Sequence, residues 1–376
     1  MKKLFRSAII ISLLSVIIQA QTRLEIIVKS NSVKDEQKVY IVGNQPELGN
    51  WNPGAVHLDK KGEGLFSKTF YLDNNSHLEF KFTKGSWDNE ALDDKGSIPG
   101  NISFTLKQDT SIVSQIINWK DSRDNLSGGV TGKIIEHKNF VGWSVLPRNI
   151  VVWLPPSYDS LKEKYYPVLY MQDGQNIFDP STSAFGVDWQ LDETADSLIK
   201  KNEIDEIIIV GVYNTYKRRS EYANTSDGYE YINFLIEELK PFIDKTYRTL
   251  PDKENTAVGG SSLGGLISFI ILWENPDVFS KAACLSPAFR VNEYDYVSFV
   301  KNSNAINKKI KIYIDNGGVG LENSLQPGID QMLNVLKEKG YDFEKEIYWF
   351  KDNQAEHNES AWANRSWRFL KFLFGN

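Results

Sequence analysis

Residues 256–273 read TAVGGSSLGGLISFIILW, and within them Gly260-Ser261-Ser262-Leu263-Gly264 fits the pattern G-x-S-x-G. In that pattern a strand turns sharply into a helix. The central serine, here Ser262, is held in a strained backbone conformation that lifts its hydroxyl clear of the chain. Small neighbours are a steric requirement of such a turn. Gly260 and Gly264 leave room for the close approach of strand and helix, and Gly259 and Gly265 extend that freedom on both sides. The flanks agree with this reading. Thr256-Ala257-Val258 is short and partly β-branched, as the end of a buried strand should be, and 263–273 is apolar enough for a buried helix that Asn275-Pro276 stops.

Outward from this turn, the chain from Lys133 onward alternates strand-like and helix-like runs, the signature of an α/β domain with a largely parallel sheet. Strands are expected at 151–154, 168–171, 207–210, 281–285, 311–314 and 347–350, and helices at 229–243, 263–273, 328–339 and 359–374. A serine nucleophile needs a base, and the base needs an orienting acid. In the α/β-hydrolase arrangement these follow in the order serine, acid, histidine. Of the histidines His57, His77, His137 and His357, only His357 lies after Ser262, in the loop between the last expected strand and the terminal helix. The acid belongs on the loop after 311–314, where both Asp315 and Glu322 qualify and Asp352 is a third candidate. Glu322 is favoured because the loop must reach back towards the histidine, whereas Asp315 could equally fix the turn. For the oxyanion, one backbone N–H belongs to Leu263. The other is expected from the loop Met171-Gln172-Asp173-Gly174-Gln175-Asn176, with Gln175 as donor, although Asp173-Gly174 also reads as a simple turn. Such chemistry requires no metal and no organic cofactor.

Composition sets the outer limits. At 376 residues two domains are expected, and 41% hydrophobic residues suffice for sizeable cores. A net charge of −6, with Lys and Arg spread along the chain, leaves no footprint for nucleic acid. Lys2, Lys3 and Arg6 precede an apolar run at 8–18, followed by Gln19-Ala20, which reads as a secretory signal over 1–20. No later apolar run reaches spanning length, so the processed protein is expected to be secreted or periplasmic, with no membrane partner. Cys284 is the one cysteine, which excludes an intramolecular disulfide, and its apolar surroundings mark it as a buried strand residue.

From 21 to 118 the pattern is all-β, with short alternating runs at 24–28, 38–42 and 78–82 separated by Gly, Asn, Asp and Pro turns, as in a β-sandwich. Residues 119–132, including KDSRDNLSGGVTG, are polar with a Gly pair and read as a linker to the domain at 133–376. Within the β-rich part, VGNQPELGNWNP at 42–53 and FKFTKGSW at 80–87 resemble the starch-binding carbohydrate-binding modules of family 20. The resemblance implies Trp51, Lys81 and Trp87 as a glucan-contacting set. A flat Trp face suits the apolar face of a glucose ring. Trp51 and Trp87 would equally serve as core.

PVLYMQDGQN at 167–176, the glycine-rich elbow at 259–265 and Glu356-His357 before an aromatic helix resemble the Putative esterase family. That family includes feruloyl esterases, enterochelin-type esterases, acylglutathione hydrolases and mycolyltransferases. Asn214-Thr215 with Arg218, Arg219 and Glu221-Tyr222 also resembles it, and equally fits a loop-stabilising ion pair. The resemblance implies an α/β-hydrolase preceded by a β-sandwich, acting as a serine esterase with an acyl-enzyme. The pairing with a glucan-binding module points to acylated carbohydrate as substrate. Transfer of the acyl group to a sugar hydroxyl, and glycan binding without catalysis, are alternative readings.

Overall fold

The computed structural model describes residues 21–375 except 31–32, 34–35, 93–98, 117, 121–129, 185, 292 and 304–308. The signal segment at 1–20 and most of the linker expected at 119–132 lie outside the described residues. The chain divides into two compact units, the first ending at Asp121 and the second resuming at Ser122.

The first unit consists of two four-stranded sheets. One has the order Asp59–Gly62, Leu65–Asp73, Gln21–Lys29, Thr110–Gln115; the other has Val56–His57, Tyr40–Gly43, Ser76–Thr83, Ile102–Leu106. Along Gln21–Lys29 burial alternates with period two, so that Leu24, Ile26 and Val28 face the core between the sheets. The first strand pairs in parallel with Thr110–Gln115, from Leu24 opposite Thr110 to Lys29 opposite Gln115, and a further two-stranded sheet pairs Asn118–Trp119 antiparallel with Ala91–Leu92. Trp119 is completely buried in this core, and its indole N–H donates to Ser30 Oγ at 3.1 Å.

The second unit is built on one eight-stranded sheet: β1 (Lys133–Phe140), β2 (Arg148–Leu154), β3 (Val168–Gln172), β4 (Ile208–Val212), β5 (Thr256–Ser261), β6 (Lys281–Leu285), β7 (Lys311–Asn316) and β8 (Ile347–Lys351). The spatial order is β1-β2-β4-β3-β5-β6-β7-β8, with β1–β2 and β2–β4 antiparallel and every later pair parallel. Helices α1 (Leu191–Lys200), α2 (Arg218–Glu221), α3 (Ser226–Asn233), α4 (Lys240–Thr246), α5 (Leu263–Glu274), α6 (Tyr296–Asn302), α7 (Glu322–Glu338) and α8 (Glu359–Phe374) make the crossovers. Both faces of the sheet are covered: Ile150, Val152 and Leu154 point into one core, and Val151 and Trp153 into the other. This is the near-continuous burial that a doubly covered parallel sheet requires. Cys284 is fully buried in β6, and desolvation pushes its thiol pKa up.

Two helices depart from the sequence reading. The run expected at 229–243 is α3, then a π-helical stretch Phe234–Leu239, then α4. Pro241 lacks the N–H that a regular α-helix would use there, and the wider π turn precedes it. α7 begins at Glu322, six residues before the expected start, and runs through Pro327-Gly328. Gly328 is not a break: a Cβ there would sit 2.6 Å from the Arg290 carbonyl oxygen, so the glycine permits a close backbone contact.

Replacing Trp119 by Ala removes a fully buried indole and leaves the Ser30 hydroxyl without that partner. The expected loss in stability of the first unit is about 3–5 kcal/mol, read as an earlier urea transition. An unchanged midpoint would contradict the placement of this ring in the core.

Candidate active site

Ser262 stands between β5 and α5 at φ 57° and ψ −120°. This conformation is strained for any residue with a Cβ, and its surroundings fix it. The Ser262 amide donates to the Leu285 carbonyl at 2.9 Å, and the Ser262 carbonyl accepts from the amides of Leu266 at 3.0 Å and Ala288 at 3.2 Å. A Cβ on Gly260 would lie 2.9 Å from Gln172 Cβ and 2.9 Å from the Gly264 backbone, so both glycines are required by the tight turn.

Register then brings the other candidates to the same edge of the sheet. Ser261 pairs with Leu285, Leu285 with Asp315, and Asp315 with Phe350, one row across four parallel strands. The loops after β7 and β8 thus leave the sheet on the side where Ser262 emerges, two and three strands away. Three strand spacings are roughly 14 Å, so both loops must fold back. They do so together: the amides of Gly318 and Val319 donate to the Ala355 carbonyl at 3.0 and 3.1 Å. Side chains at 317 and 318 would collide with this return, since a Cβ would come within 2.3 Å of the Ala355 oxygen and 2.4 Å of the Asn353 oxygen.

Of the acids weighed from sequence, Glu322 meets the histidine. His357 Nδ1 lies 3.1 Å from Glu322 Oε1, and the Glu322 side chain is wholly shielded from solvent. Asp315 is occupied elsewhere: Arg365 Nε and Nη2 donate to it at 2.9 and 3.2 Å, and the Tyr313 hydroxyl at 2.9 Å. Asp352 caps its own turn through the Gln354 amide at 3.1 Å. Trp362 presents its edge to the His357 ring at 5.0 Å. Among the described residues no hydrogen bond joins Ser262 to His357. With Nδ1 engaged, Nε2 is the ring nitrogen left for the serine.

Of the predicted oxyanion donors, Leu263 adjoins the elbow in sequence, and the loop of Gln175 meets it at Gln172 and Asp173. Leu263 is the first residue of α5, and Gln175 sits in a short 3-10 turn, Gly174–Asn176, that Asp173 opens in the left-handed conformation at φ 56°. Neither amide makes a hydrogen bond among the described residues. A Cβ on Gly174 would lie 2.4 Å from the Gly211 carbonyl carbon, so this loop is pressed against β4. Asn214 secures it from the side, its amide donating to Gln175 Oε1 at 3.2 Å and its Nδ2 to Asp173 Oδ1 at 2.6 Å.

Sequence reasoning missed the supports. Arg218 binds the Asp173 carboxylate through Nε at 2.8 Å and Nη2 at 2.7 Å, and Glu221 pairs with Arg148 at 2.7 Å, fully buried. The Arg218-Arg219-Ser220-Glu221 segment therefore forms ion pairs, as its composition suggested, with partners distant in sequence. Ser286 donates to Glu322 Oε1 at 2.6 Å while accepting from Trp362 Nε1 at 3.1 Å, so it orients the acid. The available signal was its place one residue past β6, level with Ser262 one past β5.

In the first unit, Trp51 and Trp87 are both half-buried. Their loops adjoin: Thr83 Oγ1 donates to the Pro53 carbonyl at 2.8 Å, and a Cβ on Gly54 would lie 3.0 Å from the Gly85 oxygen. Lys81 corrects the expectation. It alternates with the core residues Phe80 and Phe82 and so lies on the other face of Ser76–Thr83, where it is buried with its ammonium on Glu90 Oε1 at 2.6 Å rather than left open to a sugar.

Comparison with known proteins agrees with both units. Residues 146–367 match the family described as Putative esterase, and 21–111 match the Starch binding domain family. An endo-1,4-beta-xylanase/feruloyl esterase of Xylanibacter ruminicola is 31% identical over 196 residues, which is 50% of this chain and 25% of that protein. An amylopullulanase of Thermoanaerobacter thermohydrosulfuricus is 31% identical over 87 residues, 22% of this chain and 6% of that protein. The chain thus spans a quarter or less of either relative. The solved structure of a ferulic acid esterase shares the fold with a TM-score of 0.53 at 20% identity, covering 64% of this chain and 98% of that one.

Glu359, the first residue of α8, adds a pH dependence. Burial pushes its carboxyl up to about 7, with Asp173 raising it further and Arg218 opposing. The folded state then holds a proton that the unfolded chain releases near 4.5, so stability falls as pH rises from about 4.5 to 7. Glu359→Gln should flatten that fall in Tm, with the variant melting above the parent at pH 8. Parallel curves for the two proteins would sink the assignment.

Proposed function

From the premise that this chain belongs to the Putative esterase family, we propose that it is a secreted serine carboxylic-ester hydrolase acting through an acyl-enzyme on acylated carbohydrate. The observation that carries the catalytic part is the 3.1 Å contact between buried Glu322 and His357, on the sheet edge where Ser262 is held in its strained turn. In this reading His357 Nε2 takes the proton of Ser262 as Oγ attacks the ester carbonyl carbon. Glu322 fixes the tautomer through Nδ1 and stabilises the imidazolium that forms. The tetrahedral oxygen is received by the amides of Leu263 and Gln175. The imidazolium then returns its proton to the departing alkoxide, and water activated by the same ring releases the acid.

No described helix is long and apolar enough to cross a membrane, and the basic and apolar residues at 1–18 support export. The substrate class rests on the pairing of an esterase with a starch-binding module. Trp51 and Trp87 would supply the flat faces on which glucose rings stack, holding the esterase near an acylated glucan or a polysaccharide mixed with it.

Ser262→Ala should lower kcat/KM on p-nitrophenyl acetate by about a thousandfold or more, and Glu322→Gln by at least about a hundredfold. A serine-directed phosphonate should add to the parent and not to the Ser262→Ala protein. Full activity in the serine variant would end the proposal. Trp51→Ala and Trp87→Ala should each weaken retention on insoluble starch about tenfold, with esterase activity on the soluble ester unchanged. Retention that survives the double substitution would remove these two rings from the sugar site.

A further inference from the structure

Three carboxyl groups meet at the start of α1. Asp188 precedes the helix, Asp192 and Glu193 lie in its first turn, and one oxygen from each lies within 4.8 Å of the others. Asp188 is 6% exposed and Asp192 0%. Asp188 Oδ2 accepts the Gln190 amide at 3.0 Å, and Asp192 Oδ2 accepts the Thr131 amide at 2.7 Å. Asp192 Oδ1 and Glu193 Oε2 are buried, and the one hydrogen bond open to them among the described residues is a proton shared between these two carboxyls. Among the described residues no Lys, Arg or His forms an ion pair with any of the three.

Four other buried carboxylates of the described chain each face a cation, and a fifth, Glu359, stands alone rather than in a cluster. Glu90 has Lys81, Asp173 has Arg218, Glu221 has Arg148 and Asp315 has Arg365. A buried carboxylate without a counter-charge is strongly destabilising. The positive end of a helix accounts for acidic residues in a first turn. It does not account for two buried carboxyls turned towards each other, beside a third carboxyl group from outside the helix.

We propose that Asp188, Asp192 and Glu193 hold a divalent cation, and that the ion is calcium. All three ligands are hard oxygens, with no nitrogen or sulfur, which excludes a preference for zinc or copper. Ligands from one helical turn and the loop before it give an irregular set, which the variable coordination of calcium tolerates and the strict octahedron of magnesium does not. The ion is structural and takes no part in the ester chemistry. Its loop nevertheless backs the catalytic histidine: Val187 and His357 line one cavity, and Trp189 packs on Trp362 at 5.5 Å, which in turn meets the His357 ring. The cation would join residue 131, at the start of the second unit, to this loop and to α1.

The test uses the full-length protein stripped with EGTA, with calcium binding measured by equilibrium dialysis and stability by thermal melting. The parent should bind about one calcium ion per chain, with Tm rising by about 5 °C at saturation. Asp192→Asn should lose both responses while melting no lower than the parent in EGTA, because it removes the uncompensated charge. Glu193→Gln is the second variant should the first fail to fold. Absence of bound calcium at millimolar concentration overturns the proposal, leaving a proton shared between Asp192 and Glu193. Binding that persists undiminished in both variants overturns it as well, and an equal response to magnesium chloride overturns the choice of calcium.

Discussion

The second unit is arranged around a strained residue that does not yield. Ser262 sits at φ 57° and ψ −120°, a conformation that costs of order 1–3 kcal/mol and persists only where its neighbours over-determine it. Here its amide and carbonyl are both engaged, by β6 and its loop and by α5, and glycines on either side admit backbone where side chains would stand. A residue so fixed cannot move. The glycines at 317 and 318 let the loops after β7 and β8 lie on each other, which brings Glu322 and His357 together.

Charge burial completes the arrangement. Asp315, Asp173 and Glu221 each stand against an arginine from a distant part of the chain, and each pair braces a different wall of the site. Asp315 and Arg365 tie the end of β7 to α8. Asp173 and Arg218 hold the loop that carries Gln175. Arg148 and Glu221 pin α2, which carries Arg218, to β2. Breaking such a pair strands a charge away from water and is far more costly than exchanging both partners for apolar groups. Ser286 links the first of these to Glu322: its amide donates to Asp315, and its hydroxyl accepts from Arg365 and donates to Glu322.

Much of this was legible because local pattern and global fold agree. The elbow declares itself through glycines at fixed offsets, the strands through β-branched runs, and His357 by elimination among the histidines. Choosing Glu322 over Asp315 required only the argument that the loop must reach back. What stayed hidden depends on pairing across long sequence distances. Arg365 lies 50 residues from Asp315 and Arg218 lies 45 from Asp173, and no spacing rule joins them. Lys81, expected at the sugar surface, instead pairs with Glu90 across the turn that follows its strand. The early start of α7 was hidden because Pro327-Gly328 carries the chemistry of a break, while the fold uses the glycine for close contact with Arg290.

The first unit has its first strand beside Thr110–Gln115 and running the same way, from Leu24 beside Thr110 to Lys29 beside Gln115. Tension between the ends of this unit would first meet the short antiparallel pairing of Asn118–Trp119 with Ala91–Leu92, and beyond it would act along the parallel strands and load their ladder of hydrogen bonds together, where an antiparallel pairing would let the bonds peel one by one. A unit stretched between its two chain ends would resist unravelling in this geometry.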